Sequence, residues 1–381
     1  MAPVSVLAFA PNSWKGQWVN RQYLLSRLGS TRRVIYSTGA WFTWQRNTTE
    51  WTSARWAGGL DVESGVLVET PPRWILRNQR FVAWDRWALG RHSLWLQRSI
   101  DPNGTGYICL IFHPQFEPYL RHLAPCRVAY HAYDLFDATP GWTAELESQE
   151  RRLLKQAHLV TTVSQQIAER LLAKGAREVH IIPNGVDESL FDANRFAPVP
   201  SDMQTIPRPR LGYVGSLHPQ VDYALMAEIA QRRPDWQVVL IGDAPAYSDT
   251  QAASGLARCR GLVNVHFLGS RERHRVPAYM MSMDVNLMPY RVDNESWVVA
   301  GHPLKLYEYL ASGKPVVAAR LPTLSDEGRL LRFAEGVEDW IKAISEALAE
   351  IDTDAVNERI EVARHNGWSQ RAATLERLLS Q

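Results

Sequence analysis

Cysteine is scarce in this chain, and the few cysteines present exclude two kinds of covalent scaffold. Only Cys109, Cys126 and Cys259 occur among 381 residues. An odd number of cysteines at wide spacing fits neither a disulfide framework nor a zinc site. We therefore expect isolated, buried thiols in a reducing cytosol.

Long apolar runs are also absent. No stretch of the sequence approaches the roughly 18 apolar residues that span a membrane. Residues 1–14 have no basic segment ahead of their short apolar run, which favours a first β-strand over a signal peptide. The protein is therefore expected in the cytoplasm, with peripheral attachment to the inner face of the cell membrane as a further option.

The net charge of +2 conceals a strong asymmetry along the chain. Residues 1–100 contain 13 Lys and Arg against 5 Asp and Glu, together with ten of the fifteen tryptophans. Arginine interleaved with tryptophan suits the headgroup region of an anionic membrane, where cations and amphipathic rings both find partners. Single-stranded nucleic acid would also use such residues, but no recognition motif accompanies them, so no nucleic-acid partner is expected.

Strand-like runs alternate with helical patterns in two successive copies, which is typical of parallel sheets wound by helices. The pattern predicts an α/β protein with a Rossmann-like N-terminal domain over 1–191, interrupted by a Trp- and Arg-rich insert at about 41–100. A Pro-rich linker follows at 192–209, and a second Rossmann-like domain covers 210–364. A last helix at about 365–381 is expected to pack back on the N-terminal domain.

One predicted helix places a lysine near its start, which raises a question of electrostatics. Pro303 suits the first helical position and Gly313 the residue after the last, so the helix should span about 303–311. Lys305 and Glu308 then share one face. The helix dipole repels a cation at this end unless an anion lies beyond it, so the pattern indicates either a phosphate site or a surface ion pair.

Two glycine turns accompany this segment. Gly215 and Ser216 follow a predicted strand, where the glycine lets a ligand approach the backbone and the serine adds a hydroxyl. This turn lacks the Gly-x-Gly-x-x-Gly spacing, which disfavours a plain NAD enzyme. Asn184 and Gly185 follow another strand just before the predicted linker. A simple turn explains either pair alone, and a cleft between the two domains would make both pairs part of a ligand site.

Three stretches together resemble a known family: "IIPNGVD" at 181–187, "LGYVGSLHPQVDYALMAEIAQRRPDWQVVLIGD" at 211–243, and "HPLKLYEYLASGKPVVAARLP" at 302–322. They are similar to the bacterial nucleotide-sugar glycosyltransferases near glycosyltransferase family 4, and within it to enzymes of teichuronic-acid and exopolysaccharide assembly. The resemblance is looser over residues 1–177. It implies the GT-B fold, in which two Rossmann-like domains face each other across a cleft.

The resemblance also implies a donor site for a nucleoside-diphosphate sugar. Lys305 would hold the donor diphosphate and stabilise the charge that grows on it as the glycosidic bond breaks. Glu308 would accept hydrogen bonds from the ribose hydroxyls. The other residues implied in this site are Gly215, Ser216, Tyr290 and Leu306. No metal and no cofactor other than the donor is implied.

The sequence departs from the family pattern at two points. Ala300 stands where a first glutamate usually precedes Glu308 by eight residues, and Ser216 and His218 follow the phosphate-loop glycine where basic residues are usual. Both a retaining and an inverting reaction therefore stay open. If the reaction inverts, a base must deprotonate the acceptor hydroxyl, and Asp134 is the first candidate.

The second candidate for that base is His131, with His113 as a weaker third. All three follow predicted strands of the N-terminal domain, so they would face the cleft. If the reaction retains configuration, Asp134 or His131 could bind sugar hydroxyls instead. A histidine hydrogen-bonded at a strand end is the plain structural alternative for His131.

A helical pattern within 74–99 places Phe81, Trp84, Ala88 and Trp95 on one face. It fits either a core or interdomain helix, or a membrane-docking helix directed to a polyprenyl-linked acceptor. The expected function is transfer of a sugar from a nucleoside-diphosphate donor to a saccharide or polyprenyl-linked acceptor in cell-surface polysaccharide synthesis. The alternatives are a nucleotide-sugar epimerase or hydrolase of the same fold, and a two-lobed solute-binding protein.

Overall fold

A computed structural model describes residues 4–244, 249–292, 300–324 and 328–381 of the chain. The chain divides into two compact units. The first contains Met1–Pro183 and Trp368–Gln381, and the second contains Asn184–Gly367. Each unit has its own sheet, which is mainly parallel in the first unit and parallel in the second.

The first unit is built on a sheet that has eight strands within the described residues. Its spatial order is β10-β9-β8-β7-β1-β2-β5-β4, and every neighbouring pair is parallel except β4 and β5. The strands are β1 (Ser5–Phe9), β2 (Val34–Ser37), β4 (Gly59–Glu63), β5 (Val66–Thr70), β7 (Tyr107–Ile111), β8 (Arg127–Ala132), β9 (Leu159–Thr162) and β10 (His180–Ile181). A separate two-stranded sheet pairs β3 (Trp41–Phe42) with β6 (Leu76–Arg77).

Helices connect these strands. They are α1 (Asn20–Leu28), α2 (Thr49–Ser53), α3 (Val82–Ile100), α4 (Ala144–Gln156) and α5 (Gln165–Ala173). The starts of α4 and α5 follow from sequence, because the hydroxyls of Thr143 and Ser164 accept hydrogen bonds from backbone N–H groups in the first turn. The strands β1 and β7 are almost entirely buried apolar residues, as expected for a sheet covered on both faces.

The Trp- and Arg-rich insert contains β3 to β6, α2 and α3. Its long helix begins at Val82, which corrects the prediction of helical pattern from about residue 74. Leu76–Arg77 is instead a strand paired with Trp41–Phe42, so this part of the segment is extended.

The second unit is built on a sheet with six parallel strands within the described residues. Its order is β13-β12-β11-β14-β15-β16. The strands are β11 (Arg210–Val214), β12 (Gln237–Ile241), β13 (Val265–Phe267), β14 (Val285–Met288), β15 (Val316–Ala319) and β16 (Arg332–Ala334). In chain order this is the 3-2-1-4-5-6 arrangement of Rossmann folds, so the predicted α/β class and parallel sheets are confirmed.

The helices of the second unit are α6 (Glu188–Ala193), α7 (Ser201–Gln204), α8 (Tyr223–Arg232), α9 (Thr250–Arg260), α10 (Val276–Met281), α11 (Lys305–Ala311), α12 (Gly336–Leu348) and α13 (Thr353–His365). The predicted linker at 192–209 is not an unstructured connection, because it includes α7 and belongs to the second unit. Met203 and Ile206 of this stretch are buried in the core of that unit, which explains why it is ordered. The boundary predicted at residue 191 lies at Pro183 in the structure.

The last helix, α14 (Trp368–Ser380), belongs to the first unit. Trp368 is 1% exposed, and its ring stacks on Tyr23 of α1 at 5.0 Å between centroids with 4° between planes. Arg32 forms an ion pair of 3.2 Å with Glu376 beside this contact. The helix therefore completes the packing of the first unit although it is distant in sequence.

The thiols are unpaired, with Cys109 and Cys259 buried, but Cys126 is exposed, which corrects its predicted burial.

Replacing Trp368 by Ala should destabilise the first unit by about 3–5 kcal/mol, because the indole is buried and its loss leaves a cavity. Urea denaturation measures this loss. Trp56→Ala is the matched control: Trp56 is 65% exposed, so its removal should change the free energy of unfolding by less than about 0.5 kcal/mol. Equal effects of the two substitutions would contradict the packing described for α14.

Candidate functional site

The second unit has a topological switch point between β11 and β14, where the strand order reverses. Open α/β sheets bind ligands outside the carboxyl ends of strands at this point. The segments that follow these two strands meet there. Asp222 N–H donates to the Pro289 carbonyl at 2.7 Å, and Val221 forms an isolated bridge with Tyr290. The predicted residues Gly215, Ser216 and Tyr290 therefore lie at one edge of the sheet.

Gly215 lets the Lys305 side chain lie against this turn. Its φ of +140° is a conformation that other L residues rarely adopt. A Cβ at position 215 would also lie 2.6 Å from Lys305 Nζ. That nitrogen is 5.0 Å from the centroid of the Tyr213 ring. In the described part of the chain Lys305 forms no ion pair, so its charge is available at the turn.

The helix that carries this lysine begins at Lys305, two residues later than predicted. Lys305 is therefore its first residue and not its third. The Tyr309 hydroxyl accepts a 2.9 Å hydrogen bond from the backbone N–H of Val214, which fixes α11 against the end of β11. Leu306 is fully buried in the core, so its side chain does not reach the site that the resemblance implied.

The Asn184 turn holds the segment that precedes Lys305. Asn184 is buried, and its side-chain amide donates a 2.6 Å hydrogen bond to the carbonyl of His302. The His302 ring in turn stacks on Tyr307 at 5.5 Å. The predicted Asn–Gly motif thus has a definite structural role, because it positions the start of α11.

Glu308 lies one turn after Lys305. Burial raises the pKa of its carboxyl to about 7, although the charges of Lys305 and Arg273 act in the opposite direction. Arg273 is ion-paired with Asp187, whose carboxylate also raises the Glu308 pKa. Within the described residues the Glu308 side chain has no hydrogen bond, so a ligand hydroxyl could donate to it.

Tyr290 is nearly buried and presents one ring face to His218. The two rings are stacked, with centroids 5.8 Å apart and 12° between planes. Burial lowers the pKa of His218 to about 3, and the Lys305 charge adds to this effect. His218 is therefore neutral at physiological pH and adds no cation to the site.

The candidate bases of the first unit differ in their surroundings. His131 is fully buried, its Nδ1 lies 2.8 Å from the Thr161 hydroxyl oxygen, and burial lowers its pKa to about 3. Asp134 is only partly buried, and burial raises the pKa of its carboxyl to about 6. Burial lowers the pKa of His113 to about 4, and its Nδ1 accepts from the Gln115 N–H at 3.3 Å. Asp134 is the best placed of the three to accept a proton.

Arg21 is a residue that the sequence reasoning missed. It lies in the first turn of α1, is 2% exposed, and its guanidinium carbon is 5.0 Å from the Tyr133 ring centroid. Burial raises the pKa of Tyr36 and lowers that of His113, and the Arg21 charge opposes the first shift and adds to the second. No ion pair of Arg21 occurs within the described residues. A cation in the first turn of a helix was the signal that singled out Lys305, and the same rule applied to "WVNRQYLL" would have found Arg21.

Among residues 4–244, 249–292, 300–324 and 328–381, no group of three or more His, Cys, Asp and Glu side chains could hold a metal ion. Over the same ranges, no helix combines the length and the apolar character that crossing a bilayer requires.

Two known protein families match the chain. Residues 208–350 match the family described as "Glycosyl transferases group 1", and residues 53–190 match "Glycosyltransferase Family 4". The chain belongs to the GT-B glycosyltransferases of the family 4 type. This glycosyltransferase is 32% identical over 232 residues to TuaH of Bacillus subtilis (strain 168), a protein named for teichuronic acid biosynthesis. That match covers 59% of this chain and 57% of TuaH. The chain spans about half the length of the curated relatives it matches.

Solved structures confirm the predicted fold of this glycosyltransferase. A sucrose-phosphate synthase from Thermosynechococcus elongatus aligns over 99% of this chain and 98% of its own, with a TM-score of 0.74 and 16% identity. The Anabaena protein HepE, solved in complex with UDP and glucose, aligns over 99% of both chains with a TM-score of 0.68 and 15% identity. The likeness at this level of identity concerns the fold.

The raised pKa of Glu308 makes stability depend on pH. The folded state holds this proton more tightly than the unfolded state, so the carboxyl lowers stability as pH rises from about 4.5 to about 7. Glu308→Gln should therefore be more stable than wild type at about pH 8 and lose this advantage at about pH 4. Urea denaturation at both pH values measures it.

The matched control is Glu335→Gln, because Glu335 is exposed in the same unit. This control should give the same difference from wild type at both pH values. A Glu308→Gln difference that is equally independent of pH would contradict the buried position of the carboxyl.

Proposed function

We propose that this glycosyltransferase transfers a sugar from a UDP-sugar to a saccharide or polyprenyl-linked acceptor, without a metal ion or a further cofactor. The reaction would serve bacterial cell-surface polysaccharide synthesis at the cytoplasmic face of the membrane. The observation that carries the proposal is the Lys305 ammonium, which has no ion pair within the described residues and lies against the Gly215 turn at the switch point. The choice of UDP draws support from HepE, whose structure contains UDP and glucose.

In the proposed donor complex, the Lys305 ammonium contacts the diphosphate. It stabilises the negative charge that grows on the leaving phosphate as the glycosidic bond breaks, which is where a preorganised cation is most effective. The backbone N–H of Ser216 lies beside it and is proposed to donate to a phosphate oxygen, whereas the Gly215 N–H already donates to the Ile241 carbonyl at 2.8 Å. This lysine supplies the charge for which other sugar transferases use a divalent cation.

The remaining donor contacts involve the nucleoside. The Glu308 carboxyl has no hydrogen bond within the described residues and is proposed to accept from the ribose hydroxyls. Tyr290 contributes an apolar ring edge beside the base or ribose, since one of its faces is covered by His218. The Leu306 side chain is buried, so any contact of this residue with the donor would involve its backbone.

On the acceptor side, Asp134 is proposed as the base of an inverting reaction. Its pKa of about 6 is close to the operating pH, which suits proton transfer from a hydroxyl. His131 is the poorer base, because deep burial opposes the charge it would have to carry. In a retaining reaction Asp134 would bind acceptor hydroxyls instead.

Peripheral attachment to the membrane is part of the proposal. Exposed apolar side chains lie in the first turns of α3 and in the segment before it, and we call them the aromatic tip: Trp74, Phe81, Val82, Trp84 and Trp87, each 38–68% exposed. Their rings adjoin, with Trp87 at 5.2 Å from Trp84 and 6.3 Å from Trp74 between centroids. Exposed aromatic clusters of this kind suit the bilayer interface.

The donor site is tested by thermal stabilisation with UDP. A ligand at about 100 times its Kd adds about 2.7 kcal/mol to the stability of the folded state. Lys305→Ala should weaken UDP binding at least tenfold, because it removes a charge-assisted contact of about 1.5–3 kcal/mol. Lys342→Ala is the matched control, since Lys342 is exposed on α12.

Three results would count against this proposal. UDP could fail to stabilise the wild type, or Lys305→Ala could keep the full effect, and either result removes the donor site. Turnover of UDP-glucose without acceptor as fast as with acceptor would instead favour the hydrolase or epimerase alternative.

The aromatic tip is tested by sedimentation with phosphatidylcholine vesicles. The double variant Trp84→Ser/Trp87→Ser should bind roughly tenfold more weakly, because each indole that enters the interface buries apolar area at about 25 cal/mol per Å². Phe196→Ser is the control, since Phe196 is an exposed aromatic of the second unit. Equal binding of all three proteins would contradict docking through the tip.

A further inference from the structure

A cavity of about 880 Å³ lies in the first unit beside the aromatic tip. Its walls come from the start of α3, the 3-10 helix Pro114–Arg121 and the start of α4. The volume falls within the range of sites that hold small molecules. Its polar lining includes Gln79, Arg86, Gln115, Arg121, His122 and Gln149, together with the carboxylates of Asp85 and Glu145.

Both carboxylates of this cavity already have cationic partners. Arg77 donates two hydrogen bonds to Asp85, at 3.1 and 2.9 Å, in a pair that is largely buried. Glu145 accepts from Arg152 at 3.1 Å, and this arginine also bonds Glu117. Neither carboxylate is therefore left to repel an anionic ligand.

Two arginines of the lining have no such partner. Arg86 and Arg121 form no ion pair within the part of the chain that the structure describes. Both lie close enough to His122 to lower its pKa, an effect that adds to that of burial. The cavity therefore has an uncompensated positive charge.

The cavity and the aromatic tip share one border. Val82 belongs to the tip and also lines the cavity, and Arg86 precedes Trp87 of the tip in α3. An apolar surface and a cationic cavity thus adjoin at the start of one helix. A ligand that matches both has an anionic group on an apolar chain.

We propose that this cavity holds the phosphate-bearing headgroup of an anionic bilayer lipid while the aromatic tip enters the interface beside it. The inference rests on the membrane docking described under the proposed function and adds the ligand that the docked protein selects. Arginine suits this role because its planar fork donates two parallel hydrogen bonds to phosphate oxygens. The anionic inner leaflet supplies such headgroups at high local concentration.

The test compares vesicles of phosphatidylcholine alone with vesicles that also contain phosphatidylglycerol. Wild type should bind the mixed vesicles more tightly. Arg86→Gln and Arg121→Gln should each reduce this gain about fivefold, as expected for the loss of one arginine contact at an anionic surface. Both variants should keep the wild-type affinity for phosphatidylcholine alone and the wild-type stabilisation by UDP.

Arg91→Gln is the matched control. Arg91 is exposed on α3, follows Trp84 and Trp87 on the same helical face, and does not line the cavity. The inference would be overturned if Arg91→Gln reduced the preference for phosphatidylglycerol vesicles as much as Arg86→Gln does, because this would show general attraction to the charged surface. The inference would also be overturned if both Arg86→Gln and Arg121→Gln kept the wild-type preference for phosphatidylglycerol vesicles.

Two further outcomes separate this inference from the proposals on which it stands. Stabilisation by inorganic phosphate, without any preference for phosphatidylglycerol vesicles, would assign the cavity to a soluble anion and overturn the lipid assignment. Failure of the wild type to bind any vesicle would overturn both the docking and this inference. Stabilisation by UDP, measured on the same protein, would in that case still support sugar transfer.

Discussion

The proposed donor site depends on a lysine that lies against a backbone turn without a side chain. Lys305 can occupy this place only because residue 215 is glycine in a left-handed conformation. The neighbouring turn has the same character, because a Cβ on Gly242, which follows β12, would overlap the Gly215 carbonyl. Gly269 follows β13, and its carbonyl accepts from Gly242 N–H at 3.0 Å. Three adjacent strands of one sheet are thus followed by glycines, which lets the turns after β11 and β12 pack closely against each other.

Each unit has a cation in the first turn of a helix, although the two units differ in sequence. Lys305 begins α11, and Arg21 lies in the first turn of α1, where the helix dipole disfavours both cations. Neither cation has an ion pair within the described residues. A cation placed at such a cost suggests a requirement for positive charge, which the proposed diphosphate would meet at Lys305. The two positions differ in exposure, because Arg21 is 2% exposed while Lys305 is only partly buried.

Much of this architecture follows from the sequence by ordinary physical rules. Alternating strand and helix patterns predicted both sheets. The lysine at the start of a helix, together with Gly215, predicted a donor site at one edge of the second sheet. The rest depended on contacts that sequence patterns do not reveal. Leu76–Arg77 became a strand because it pairs with Trp41–Phe42, and the predicted linker is ordered because it buries Met203.

Side-chain surroundings were the least predictable part of the candidate site. Leu306 follows Lys305 directly, yet helical geometry directs it into the core. His131 and Asp134 are three residues apart, but burial lowers the pKa of the first and raises that of the second. Desolvation penalises the charged form of each group. The direction of the pKa shift therefore depends on whether the group is an acid or a base, and the size of the shift depends on how deeply the group is buried. Burial of this kind results from the assembled sheet and is not a local property of the sequence.

A crystal structure of the full chain with UDP is the most direct test of this account. The account predicts a diphosphate oxygen at about 3 Å from Lys305 Nζ and another within hydrogen-bond distance of the Ser216 N–H. A UDP molecule bound with its diphosphate away from this turn, with Lys305 still lying over the Tyr213 ring, would contradict it.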